Sequence, residues 1–157
     1  GMTEARLGIL FAINGIMVTA LQVPVTRSLG RMRFTSQLAT GALLYFIGYG
    51  VMGFFTEYSA FIVLMIIITT GEMIMSPPAI TLTSRLAPDG RMGRYMGVFG
   101  FFTTAGWSFG PLYGGFFLDY FADNLAVAWM LISSMAAVAM FGFLWFGRRI
   151  PDEYNRK

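Results

Sequence analysis

Thr69-Thr70-Gly71-Glu72-Met73-Ile74-Met75-Ser76-Pro77-Pro78 lies inside an apolar run from Tyr58 to Ser84 whose only charged side chain is Glu72. A run of that length reaches the ~20 residues that a helix needs to cross a bilayer. A carboxylate placed in lipid is costly, so Glu72 should face a protein interior or a water-filled cavity. Ser76, Pro77 and Pro78 follow it by about a turn. Two adjacent prolines remove two backbone donors and are expected to bend the helix, freeing carbonyls that other groups must satisfy. An acid one turn from a helix break, near mid-membrane depth, is the pattern of an ion or substrate site. The structural alternative is a buried glutamate hydrogen-bonded to a neighbouring helix.

Working outward, charged residues cut the chain into five nearly uncharged stretches: 7–26, 34–56, 58–84, 95–118 and 124–147. Each is long enough to span as a helix, and the alternation of a membrane β-barrel is absent. The expected fold class is therefore an all-α membrane protein with five transmembrane helices. Composition agrees: 12% of the residues are charged and mean hydropathy is +0.64, whereas soluble domains carry roughly 25% charged residues. The chain has no cysteine and no histidine, which removes thiolate chemistry, disulfides and the common zinc constellations. No P-loop or dinucleotide fingerprint occurs, although the chain holds 19 glycines. Neither a cofactor, a metal, an enzymatic centre nor a nucleic-acid partner is expected.

Charge also orients the spans. Arg27, Arg31 and Arg33 lie between spans one and two; Arg85, Arg91 and Arg94 lie between spans three and four. Arg148, Arg149, Arg156 and Lys157 follow span five, so all but Arg6 of the 11 cations fall on one side. The opposite connections hold Glu57, Asp119 and Asp123. By the positive-inside rule the basic side is cytoplasmic, which places the C-terminus inside and the N-terminus outside. An external N-terminus with neither a signal peptide nor an apolar exporter suggests missing upstream spans. The tail Pro151–Lys157 reads as a solvated end of mixed charge.

Polar and small residues inside the spans supply the remaining candidates. Asn14 and Gln22 sit about two turns apart on one side of span one, suited either to a substrate or to interhelical hydrogen bonds. Thr69, Met73 and Ser76 share a face with Glu72 and are expected to line the same wall. In span four, Gly106, Gly110 and Gly114 recur every four residues as a smooth seam for close helix approach, and Pro111 permits a bend. Phe99, Phe102, Thr103 and Trp107 offer a mostly aromatic wall for a lipophilic cation, or a lipid-facing surface. Spans two and five read as support, with Gly41 and Gly48 as a possible packing seam.

Taken in order, Gly71-Glu72-Met73 with Pro77, Leu86-Ala87-Pro88, Gly93-Arg94-Tyr95-Met96-Gly97, and Gly106 through Gly110-Pro111 to Gly114-Gly115 resemble a known family. The set is similar to the C-terminal half of a major facilitator superfamily transporter of the multidrug/proton antiporter-like branch, over about residues 2–149. The resemblance implies helices eight to twelve of a twelve-helix fold, with helix seven and the N-terminal bundle outside this chain. It implies an integral protein of a bacterial inner membrane, whose partners are the lipid bilayer, the other half of the transporter, protons and a small-molecule substrate. The implied activity is proton-coupled efflux of lipophilic or cationic compounds by alternating access, with Glu72 as the coupling residue. Pro77, Pro78, Gly106, Gly110, Pro111 and Gly114 would then serve gating and helix packing. Val23 to Arg33 resembles a degenerate copy of the family's cytoplasmic gating signature, with Arg27 where the full form has an aspartate. Arg27, Arg31, Arg33, Arg91 and Arg94 are the candidate residues of the cytoplasmic loops, as ion-pair or lipid-headgroup partners or as solvated topology determinants. A sugar or metabolite symporter of the same fold, or a non-transporting membrane scaffold, are the alternatives.

Overall fold

Helix ends in this protein follow local chemistry. Thr3 caps the first helix by accepting from the Arg6 amide at 3.4 Å, and Asn124 accepts from Val127 at 3.3 Å to open the last long one. Both side chains satisfy a first-turn amide that has no partner within its helix. Ala87 terminates the third helix in an extended conformation at φ −75°, ψ 123°, as a residue before proline prefers. Gly90, at φ 76°, then turns the chain where an L side chain would be strained.

The computed structural model describes residues 3–156; Lys157, one of the expected cytoplasmic cations, lies outside them. The elements are α1 (Glu4–Ser28), α2 (Phe34–Gly50) with a short 3₁₀ turn (Met52–Phe54), α3 (Tyr58–Leu86), α4 (Met92–Tyr120), α5 (Leu125–Gly147) and the one-turn α6 (Asp152–Asn155). No strand occurs among the described residues. The five long helices overlap the five expected stretches: α1, α3 and α4 extend a few residues beyond them, while α2 stops at Gly50 and leaves 51–56 to the 3₁₀ turn and loop.

Four of the five are long and apolar enough to cross a membrane: Glu4–Ser28, Phe34–Phe54, Tyr58–Leu86 and Leu125–Gly147. The exception is α4. Its 29 residues give ample length, but glycines, threonines, tyrosines and a tryptophan dilute its hydropathy.

α2 forms the spine, packed along α3 on one side and α5 on the other, while α1 leans on α3. Small residues set the closeness of the α2–α3 contact. A Cβ on Gly41 would lie 2.7 Å from the Gly71 carbonyl oxygen, and one on Gly71 would lie 2.9 Å from that of Gly41. Gly48 meets the Ile68 side chain in the same way, at 2.5 Å. The possible seam on span two is thus a close helix contact. Phe34, Leu38, Leu82 and Ile150 form a buried cluster at the basic end of the bundle.

Two expectations change here. α3 remains helical through Pro77 and Pro78, and the carbonyl that Pro77 leaves without its usual donor, Met73, accepts from Gln22 of α1 at 2.9 Å. A neighbouring helix thus supplies a donor to one of the two carbonyls that the prolines free, within a helix that runs on unbroken. The tail is solvated as expected at Pro151, Asp152, Glu153, Tyr154 and Arg156, but Asn155 within it is buried. Ile150 is 9% exposed and Asn155 is fully buried, because the short apolar and amide side chains find a cleft between the ends of α2, α3 and α5.

Candidate functional site

Glu72 sits where α3 meets both of its neighbours. Asn14 of α1 donates from one amide nitrogen to the Glu72 carboxylate at 3.1 Å and to the Thr69 hydroxyl at 3.0 Å. Gln22, two turns further along α1, donates to the Met73 carbonyl and to the Thr26 hydroxyl at 3.1 Å. Both polar residues of α1 therefore face α3 and act as interhelical hydrogen-bond donors. Glu72 itself is half-buried rather than sealed.

Beyond α1, the carboxylate opens on a cavity of about 590 Å³ between α2, α3, α4 and α5. Ser76 lies one turn below Glu72 on the same wall, and Phe99, Thr103 and Trp107 of α4 face them. Leu86 and Phe146 mark its basic end. The remaining wall is largely aliphatic, so Glu72 is the one formal charge in the lining. Such a chamber favours apolar cargo and makes a single carboxylate the dominant electrostatic feature.

The other predicted residues are distributed differently. Thr69 and Met73 are buried at 0% and 1% exposure; the Thr69 hydroxyl and the Met73 carbonyl meet α1, and neither residue lines the cavity. Phe102 lies in a separate groove of about 340 Å³ with Arg94 and Tyr95, and is 69% exposed. Trp107 is 78% exposed despite reaching the cavity rim. Gly106, Gly110 and Gly114 meet no helix closely: nothing lies within 4 Å of a Cβ on the first two, and only the tip of Ile132, at 4.0 Å, reaches the third. With Pro111 they line a second cavity of about 830 Å³ between α2, α4 and α5, towards the end opposite the basic loops.

Among the arginines expected in cytoplasmic loops, Arg33 is paired with Asp152 at 2.9 Å. Pro77 and Pro78 lie on α3 within the turn after Glu72, with Pro78 buried.

One residue of consequence was not singled out from the sequence. Tyr45 of α2 lines both the Glu72 cavity and the larger one. Its ring meets Tyr49 edge-on at 5.9 Å, and Tyr49 stacks on Trp129 at 6.2 Å. The four-residue spacing of the two tyrosines was the available signal, because it places two hydroxyl-bearing rings on one face of the apolar second half of α2.

The sequence matches the model of the Major Facilitator Superfamily over residues 1–157. This chain belongs to the major facilitator superfamily. It is similar to the uncharacterized MFS-type transporter YttB of Bacillus subtilis, at 26% identity over 141 residues covering 88% of this chain and 36% of the relative. An uncharacterized MFS-type transporter of Methanocaldococcus jannaschii is also 26% identical, over 86% of this chain and 37% of its own length. The chain thus spans about a third of the length of these curated relatives. No solved structure matches it. As a superfamily member with long apolar helices, it is an integral membrane protein.

Proposed function

We propose that this chain is part of a secondary active transporter, not an enzyme, that exchanges protons for small lipophilic or cationic compounds by alternating access. In this reading α1 to α5 correspond to helices eight to twelve of the twelve-helix fold. A second bundle outside the chain supplies the opposing wall. The basic loops and the C-terminal tail face the cytoplasm of a bacterial cell.

One observation carries the proposal: a single membrane carboxylate, Glu72, oriented by Asn14 at 3.1 Å and open on a largely apolar cavity. A proton and a cationic cargo compete for such a group, because each neutralises the same charge in a region where charge is costly. The aromatic residues Phe99 and Trp107 on the facing helix suit the face of a lipophilic cation. Asn14 would hold the charged carboxylate in place between turnovers.

The test is proton release driven by tetraphenylphosphonium in proteoliposomes of the full-length protein, comparing wild type with Glu72→Gln. Loss of release from a folded variant is the expected result. Release unchanged in Glu72→Gln moves coupling elsewhere and leaves the glutamate as an interhelical hydrogen-bond partner of Asn14. A wild type that releases no protons with this cation, but does so with a sugar or other polar metabolite, replaces the efflux reading with the symporter.

A further inference from the structure

The C-terminal tail is built into the bundle at a point that bears on the Glu72 cavity. α2 begins without help from its own sequence, since its N-cap residue Arg33 makes no side-chain cap. Its first-turn amide at Thr35 is instead satisfied by Asn155, whose Oδ1 accepts from the Thr35 nitrogen at 3.0 Å. The Asn155 amide nitrogen returns a bond to the Thr35 hydroxyl at 2.9 Å. Asn155 thereby performs the task of an N-cap from the far end of the chain. Both partners lie in the interior, with Asn155 at 0% and Thr35 at 2% exposure. Water cannot substitute for either bond without opening the contact.

Three further contacts bring the neighbouring helices to the same point. Gly147, the last residue of α5, lies so close to Thr35 that a Cβ there would be 2.5 Å from its hydroxyl oxygen. Asp152 pairs with Arg33 at 2.9 Å. Arg85, near the end of α3, donates to the backbone carbonyls of Glu153 and Arg156 and lies over the Phe34 ring at 5.2 Å. The tail therefore joins the start of α2 to the ends of α3 and α5. Directly above this junction, Leu38, Leu82, Leu86 and Phe146 belong both to the cluster that packs around Ile150 and to the lining of the Glu72 cavity.

We infer that Asn155 is a positioning residue that latches the tail across the basic end of the bundle and thereby keeps the floor of the Glu72 cavity closed. The latch acts through α2: releasing Asn155 frees the first turn of that helix, and with it Leu38, from the ends of α3 and α5. Ile150 then loses the packing that fills the floor from below. The exposed ion pair of Asp152 contributes less, because solvent screens it. This inference rests on reading that cavity as the transport chamber. Its test does not, since labelling requires no turnover.

The chain contains no cysteine, so an introduced thiol is unique within it, and any cysteine elsewhere in the full-length protein is first replaced by serine. Ala79→Cys, on the cavity wall, is labelled with a membrane-impermeant maleimide supplied from the tail side, using the full-length protein in vesicles. Asn155→Ala is expected to raise the labelling rate about tenfold, the factor that corresponds to losing roughly one buried hydrogen-bond contribution. Asn155→Asp, which keeps an acceptor for the Thr35 amide, should restore slow labelling. A merely structural residue would lower the amount of folded protein without this selective change in access and rescue. Unchanged labelling in folded Asn155→Ala overturns the latch. If Asn155→Ala does not assemble, Asp152→Ala takes its place, with a rise of smaller size expected and no rise counting against the inference. A negative result in the proton-release experiment leaves this labelling result standing, so the two readings fail separately.

Discussion

α2 and α4 are both glycine-bearing helices, yet they end in opposite circumstances. On α2, Gly41 and Gly48 are buried, and each leaves room that α3 occupies to within van der Waals contact. On α4, Gly106 and Gly110 face open space, and no residue of that helix is buried. Spacings of seven on α2 and four on α4 both keep the glycines near one helix face; what differs is whether a complementary surface comes to meet that face. Glycine permits backbones to approach, and dispersion contacts reward the approach only when the partner has a matching shape. α4 is consequently the shared wall of all three cavities, while α2, α3 and α5 form the packed body behind them.

The largest effect that tests this contrast is expected at the α2–α3 crossing. Gly41→Leu forces a side chain against the Gly71 carbonyl and the Met75 stem, both part of a packed helix that cannot turn aside. A loss of about 3 kcal/mol or more is expected, at the upper end of overpacking penalties. Unfolding in mixed detergent would measure it, and a fully stable Gly41→Leu would remove the distinction between the two helices.

Asn155→Ala comes next. It leaves the Thr35 amide and hydroxyl without their buried partner, at a cost of roughly 1–3 kcal/mol. The same unfolding assay checks it, and Thr35→Ala in combination should cost less than the sum of the two single changes, because they share one interaction.

A smaller loss is expected for Gln22→Leu, about 0.6 kcal/mol and at most about 1.7, the mean and maximum for hydrogen bonds between membrane helices. Its particular signature is rescue. Pro77→Ala restores a backbone donor to the Met73 carbonyl, so the double variant should recover stability relative to Gln22→Leu alone. Equal stability of the single and double variants would show that Gln22 does not substitute for the missing amide bond.

Gly110→Ala should change the stability of this chain by less than about 0.5 kcal/mol, since a Cβ there meets nothing. Measured in this chain and in the full-length protein side by side, the same substitution sharpens the comparison. A penalty appearing only in the longer protein would identify the seam of α4 as a contact with a segment outside this chain.

Much of the architecture was legible before any tertiary information. Five apolar stretches separated by charged loops became five long helices, with ends moved by caps at Thr3 and Asn124 and by the Ala87-Pro88 pair. The expectation for α3 was less accurate. Adjacent prolines signalled a break, but the helix continued, with Gln22 from another helix as the donor to the Met73 carbonyl. Proline chemistry is local, whereas its compensation depends on which neighbour lies within reach.

The tail shows the same limit from the other direction. Pro151-Asp152-Glu153-Tyr154-Asn155 carries two acids and no apolar pattern, so composition pointed to solvent. Those residues are exposed except Asn155, which is buried because the first turn of α2 offers its amide a partner, next to the anchorage of Ile150. Nothing in a window of ten residues can reveal that partner. Tyr45 was overlooked for a related reason: a tyrosine in an apolar helix looks the same whether it faces lipid or stands between two cavities.

What the sequence determined by itself is the class of the molecule: apolar helices of membrane length, basic residues gathered at one end, and one carboxylate within the spans. Those properties follow from transfer free energies and helix geometry, which act residue by residue. Tertiary structure alone decided which polar groups would meet. It gave Glu72 and Thr69 the same amide donor, joined Gln22 to the carbonyl freed by Pro77, and brought Asn155 to the start of a helix formed 120 positions earlier. Hydrogen bonds are short and directional, so their partners are set by how whole helices pack and not by the spacing of residues along the chain.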